Sequence, residues 1–154
     1  MLSQTTESSK IQIRPVRTDE EWDDTRSIRT QVFITEQKCP PELEWDEHEA
    51  TSRHIVGYEE GRPMAAARWR TVPFEGRLAA KLERFAVLPD CRRKGYGRRL
   101  VTFVMDDARK AGFDTFVLHA QQYLEEFYRS FGFERVGDEF EEAGIPHIKM
   151  VLRG

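Results

Sequence analysis

Cysteine is scarce in this chain of 154 residues. Cys39 and Cys91 are its only two, far apart, so no disulfide framework is implied and a reducing cytoplasm suits the chain. Cys–His zinc spacing is missing as well, which sets aside a structural metal. No apolar run is long enough to span a membrane, and the opening Met1 to Lys10 is too polar for a signal peptide. That opening reads as a disordered tail ahead of one domain from Ile11 to Gly154. Surplus positive charge is also lacking: the net charge of −3 argues against general nucleic-acid binding and leaves room only for a local basic patch. Internal repeats and low-complexity segments are absent. What remains, 39% hydrophobic and 33% charged residues, describes a globular domain with a heavily charged surface, long enough to bury a core.

One stretch, Leu82 to Gly112, organises the rest. Leu82, Phe85, Ala86 and Val87 make a strand that Leu88-Pro89-Asp90 stops. Leu100, Val101, Val104, Met105 and Ala108 form the apolar stripe of a helix that Gly112 ends. Between them lies Arg92-Arg93-Lys94-Gly95-Tyr96-Gly97-Arg98-Arg99. Glycines let backbone amides come close to a ligand, and the first amides of a helix are unpaired and partly positive. A helix N-terminus disfavours so many cations, a conflict that a bound polyanion removes. The alternative is a solvated basic run. Walker A spacing is absent, and Arg98 stands where a dinucleotide fingerprint needs its third glycine.

The remaining elements follow from pattern. Ile11 to Val16 alternates as a strand, and Thr18-x-x-Glu21 is a capping box opening a helix through about Phe33. Glu42 to Glu49 reads as an acidic surface loop, either plainly solvated or attracting a cationic acceptor. Arg53 to Val72 is a hairpin. The strand from Leu78 to Val87 changes phase between Leu82 and Phe85, as one extra residue in a β-bulge would cause. Asp114 to Ala120 is a strand, Tyr123 to Phe131 a helix stopped by Gly132, and two strands close the chain. The order β-α-β-β-β-α-β-α-β-β predicts a mixed-sheet α/β domain.

The pattern R-x-x-G-x-G after a strand resembles motif A of the GCN5-related N-acetyltransferases (GNAT). Tyr128-Arg129-Ser130-Phe131-Gly132-Phe133 resembles the family's motif B, and Arg29-x-x-Val32-Phe33-x-x-Glu36-Gln37 is similar to the opening of its YjcF/ElaA-like branch. The resemblance implies the acyl-CoA N-acyltransferase fold, with a splay between two parallel strands ending near Val87 and Ala120. It also implies acetyl-CoA as cosubstrate, no metal, and a small-molecule or peptide amine as acceptor. A homodimer stays open; no nucleic-acid or membrane partner is expected.

On that resemblance the pyrophosphate lies on Arg92, Arg93, Lys94, Gly95, Tyr96, Gly97 and Arg98. The pantetheine arm pairs with backbone at Phe85, Ala86 and Val87 and with Gln121, which stands where many members have Asn. Tyr128 is the implied acid at the leaving sulfur. For the base, Glu83 is the first choice, since burial raises a carboxyl towards neutrality. Glu36, His119 and His147 are further candidates, at the acceptor side. A non-catalytic acyl-CoA-binding module and a phosphate-directed nucleic-acid binder are the competing readings.

Overall fold

The computed structural model describes residues 11–154; the stretch read as a disordered tail lies outside the described residues. The chain runs β1 (Ile11–Pro15), α1 (Asp19–Arg29), a π-helical segment (Thr30–Glu36), α2 (Pro41–Glu44), β2 (Arg53–Glu59), β3 (Arg62–Phe74), β4 (Arg77–Val87), α3 (Tyr96–Lys110), β5 (Phe116–Gln121), α4 (Glu125–Arg129), β6 (Glu134–Glu142) and β7 (Ile145–Leu152). The strands form one sheet in the order β1-β2-β3-β4-β5-β7-β6. Among the described residues, only β4 and β5 run parallel. The expected order is present, with α2 and the π-helical segment added.

Local chemistry accounts for the helices. Thr18 and Glu21 close the capping box at the start of α1. Beyond Arg29 the helix widens instead of ending near Phe33, and the Gln37 amide bonds Val32 O at 3.1 Å. That wider turn keeps Val32 in the core while Glu36 and Gln37 reach the middle of the sheet. All five stripe residues of α3 are buried. The helix stops at Gly112, where φ is 102° and the Phe113 amide turns back to Ala108 O.

Helix α3 covers one face of the sheet, over Ala65, Ala67, Ala80, Leu82 and Leu118. The π-helical segment and α1 cover the other, over Val56, Tyr58, Ala66 and Ala86. The predicted bulge in β4 is present. Arg68 pairs with Glu83 and Ala66 with Ala86, so β4 carries one residue more than β3, and Arg84 sits at φ 61°. Its effect is to change faces. Ala80 and Leu82 lie under α3 before the bulge, and Phe85 and Val87 do so after it.

The acidic loop is not simply solvated: Glu44, Asp46 and Glu49 are held by arginines, while Glu42 and Glu47 stay exposed. Glu44 is 2% exposed, and its carboxylate meets Arg29 Nε at 2.6 Å. Glu49 takes both terminal nitrogens of Arg29, at 2.8 and 2.9 Å. Asp46 takes both of Arg68, a residue with no exposure, at 2.9 and 2.8 Å. Those three carboxylates are neutralised by arginines, and the network continues to Glu83, which accepts from Arg68 at 3.0 Å and Arg70 at 2.8 Å. Burial would raise the Glu83 carboxyl, yet the Arg70 hydrogen bond and the charges of Arg68, Lys81 and Arg70 hold its pKa down to about 2.

A depressed carboxylate stabilises the fold above its unfolded pKa near 4.5, and the contribution is lost as pH falls towards 2. The size is on the order of 3 kcal/mol. Glu83→Gln is therefore expected to lower Tm at neutral pH, and to flatten the fall in Tm between about pH 5 and about pH 3. Thermal melts across that range check this; an equal fall in both proteins would remove Glu83 from the acid response.

Candidate active site

Strands β4 and β5 pair at only three positions, Ala80–Phe116, Lys81–Val117 and Leu82–Leu118. Beyond Leu82 and Leu118 they diverge, because β4 carries the bulge and stays with β3 while β5 stays with β7. Between them opens a cleft of about 960 Å³. Phe85, Ala86 and Val87 line one side, Leu118, His119 and Gln121 the other, and Tyr128 of α4 closes a flank. The edge of β4 from Phe85 to Val87 pairs with no strand on the cleft side.

The glycine loop forms the cleft's mouth. Gly95 caps α3 at φ 80°, a conformation that a side chain strains. The first intrahelical bond is Arg99 N–H to Gly95 O, so the amides of Tyr96, Gly97 and Arg98 precede the helical ladder. A Cβ built on Gly97 would meet nothing nearer than Phe127 Cζ at 4.0 Å.

The basic residues of the loop fall into two groups. Arg92 is taken, gripping Glu36 through two 2.7 Å contacts and Val87 O at 2.9 Å. Lys94 and Tyr96 turn their side chains away, towards Glu59 at 3.5 and 2.5 Å. That bond pushes the Tyr96 phenol up to about 12. These three side chains brace the loop through Glu36 and Glu59, and Arg92 also lines the cleft. Arg93 forms no ion pair with any described residue and lines the cleft. Arg98 lines it too, held by Ser130 Oγ at 2.8 Å and lying over the Phe131 ring.

Tyr128 is 6% exposed, among the rings of Phe85, Phe127 and Phe133. Burial pushes its phenol well above the ordinary tyrosine value. Among the described residues its hydroxyl finds no hydrogen-bond partner. Gln121 also reaches the cleft, where its amide nitrogen donates to Gln37 Oε1 at 3.1 Å.

Two candidate bases are corrected by their surroundings. Glu83 does not rise towards neutrality, because three cations converge on it and keep its proton affinity low. Glu36 is likewise held below the usual carboxylate range by the Arg92 hydrogen bond. His147 is buried, its Nδ1 2.7 Å from Ile145 O and its ring stacked on Phe140. His119 lines the cleft just past the point where β4 and β5 part, with Nδ1 2.9 Å from Glu142 Oε1. Glu142 escaped the sequence reading, since nothing separates it from Glu139 and Glu141 until strand pairing places it. Gln37 was only a motif letter, and its partner is Gln121.

Among the described residues, no group of three His, Cys, Asp or Glu is placed to hold a metal ion, and no helix is long and apolar enough to cross a membrane.

The chain matches known proteins over almost all of its described length. A family model of the acetyltransferase (GNAT) domain covers residues 13–153. YjcF of Bacillus subtilis, named an uncharacterized N-acetyltransferase, is 37% identical over 136 residues, 88% of this chain and 94% of that protein. The crystal structure of Escherichia coli ElaA superposes with a TM-score of 0.80 at 28% identity, over 94% of this chain and 99% of that one. Naa50 of Arabidopsis thaliana, solved with the bisubstrate analogue CoA-Ac-MVNAL, shares the fold at a TM-score of 0.73 and 21% identity, over 94% and 99% of the two chains. The chain belongs to the GNAT acetyltransferase family and is an N-acyltransferase with that family's fold.

Proposed function

We propose that the protein moves an acetyl group from acetyl-CoA to a primary amine by direct attack within a ternary complex. The observation that carries this reading is the Tyr128 hydroxyl, lining the cleft between parted strands without a partner among the described residues. A module that only binds acyl-CoA needs no such phenol, which speaks against the non-catalytic alternative. The net charge of −3 speaks against the nucleic-acid one.

The donor's pyrophosphate would sit against the amides at the start of α3, beside Arg93 and Arg98, where helix dipole and charge both favour an anion. Its extended arm would run along the open edge of β4 at Phe85, Ala86 and Val87, within reach of Gln121. The bulge at Arg84 turns this edge, and an amide aimed at the thioester oxygen would stabilise the oxyanion that forms on attack. The nitrogen–carbon bond forms, the carbon–sulfur bond breaks, and the sulfur leaves with the bonding electrons. Tyr128 keeps its proton until then, because burial disfavours the phenolate. It donates that proton, or a hydrogen bond, to the sulfur as negative charge develops. The acceptor class is a small-molecule or peptide amine; the Naa50 analogue carries a peptide on its acetyl group.

Tyr128→Phe keeps the ring packing and removes the hydroxyl. An expected loss of about a hundredfold in kcat, with CoA affinity near wild type, would identify the donor; a wild-type rate would make Tyr128 structural. Gly97→Ala tests the cradle. The fold has room for the methyl group, and helices prefer alanine, so Tm is expected to hold or rise. CoA affinity by calorimetry is expected to fall roughly tenfold or more, about 1.4 kcal/mol. Unchanged affinity would move the phosphates elsewhere.

A further inference from the structure

An ammonium ion cannot attack a thioester, so the nitrogen must first give up a proton. Glu83 and Glu36 are held in ion pairs that lower their proton affinity, so each is a poor base. The end of the cleft offers another group. Pairing between β4 and β5 stops at Leu82 and Leu118, so the next residues, Glu83 and His119, stand at the point where the strands part. An extended arm lying between the strands would bring its reactive end there.

His119 is a quarter exposed and presents its ring to the cleft. Its Nδ1 lies 2.9 Å from Glu142 Oε1, and the edge of Phe140 packs against it at 5.0 Å between centroids. Glu142 is held below the usual carboxylate range, first by this hydrogen bond, and is an acceptor. Nδ1 therefore carries the proton, and Nε2 keeps its lone pair. No described group bonds that nitrogen.

The other ionisable groups around His119 are already engaged. Lys81 and Glu83 on β4 pair at 3.3 Å. Lys149, opposite His119 on β7, lies over the Phe74 ring at 4.9 Å. His147 Nε2 is 3.9 Å from the second Glu142 oxygen, and its Nδ1 is fixed to Ile145 O.

We propose that His119 Nε2 is the base that accepts the acceptor's proton, and that Glu142 is the positioning residue that sets its tautomer and orientation. The inference rests on the acetyl-transfer reading above. The proton balance is simple. The ammonium gives one proton to Nε2, which passes it to solvent. After attack the nitrogen gives its second proton to the same Nε2, by then neutral again, and on to solvent, while solvent replaces the proton that Tyr128 gave to the sulfur. Glu142 moves no proton in this scheme; it stabilises the imidazolium while it exists.

The tautomer can be read without any acceptor. Long-range proton–nitrogen NMR on the wild-type protein should show His119 protonated at Nδ1 with a bare Nε2, and Glu142→Gln should change that pattern. A protonated Nε2 in the neutral ring would overturn the proposal. The kinetic arm uses the best amine found in a thiol-release screen. His119→Gln should lose about a hundredfold in kcat/KM on the acid side of the profile, with CoA affinity by calorimetry unchanged. Glu142→Gln should lower kcat/KM with CoA affinity unchanged, because the ring loses the partner that orients it. An intact rate and acid limb in His119→Gln would place the base elsewhere. Loss of CoA binding in the wild-type protein would instead defeat the acetyl-transfer reading, so the two failures are distinguishable.

Discussion

The fold turns on how briefly β4 and β5 hold each other. Three residue pairs join them, the only parallel contact among the described residues. On either side the antiparallel ladders are much longer, β4 with β3 and β5 with β7. Each strand therefore follows its stronger neighbour once the twist separates them. The extra residue at Arg84 bends β4 away at that point, and the backbone edge of Phe85 to Val87 is left unpaired in the middle of the sheet. Unpaired polar backbone in a protein interior is costly unless it finds a partner. An extended ligand with its own amides would answer that cost, and the glycine loop stands at the end of the gap.

Keeping such a gap open needs support from both sides. Beneath it, Arg29, Arg68 and Arg84 join α1, the loop after α2 and the bulge into one set of ion pairs. A buried guanidinium stripped of its carboxylates is strongly destabilising, so the set makes the loop's position all but obligatory. Above it, the Glu36–Arg92 pair and the Gln37–Gln121 hydrogen bond tie the π-helical segment to the glycine loop and to β5. The branch motif Arg29-x-x-Val32-Phe33-x-x-Glu36-Gln37 thereby gains a physical meaning. One end anchors the acidic loop, the middle fills the core, and the far end bridges the mouth of the cleft.

Charge is divided between these tasks with little overlap. Arginines that hold the frame are bidentate or fully buried, whereas Arg93 and Arg98 face the cleft without a carboxylate partner among the described residues. The same division runs through the carboxylates. Glu83 and Glu36 neutralise framework cations, while Glu142 spends one oxygen on an imidazole at the cleft's end. A formal count of charges in the cleft would treat all of these alike.

Much of this was legible in the chain itself. Elements arise from contacts within a few residues, so the capping box at Thr18, the stripe of α3 and the glycine stops were readable from local pattern. The bulge was readable too, because one inserted residue changes the alternation of every residue after it. The glycine loop and the neighbourhood of Tyr128 also belong to short, continuous motifs. The roles of acids and bases were not readable in the same way. Glu83 meets Arg68 across 15 residues, Glu36 meets Arg92 across 56, and His119 meets Glu142 across 23. A carboxyl's proton affinity depends on which charges lie within a few ångströms, and those neighbours come from other strands. The sequence by itself determined most of the elements, their order and the glycine loop before α3, since these follow from periodicity and backbone freedom. Only the tertiary structure decided which carboxylates are held as structural anions and which imidazole keeps a free nitrogen, because distance through space sets that chemistry.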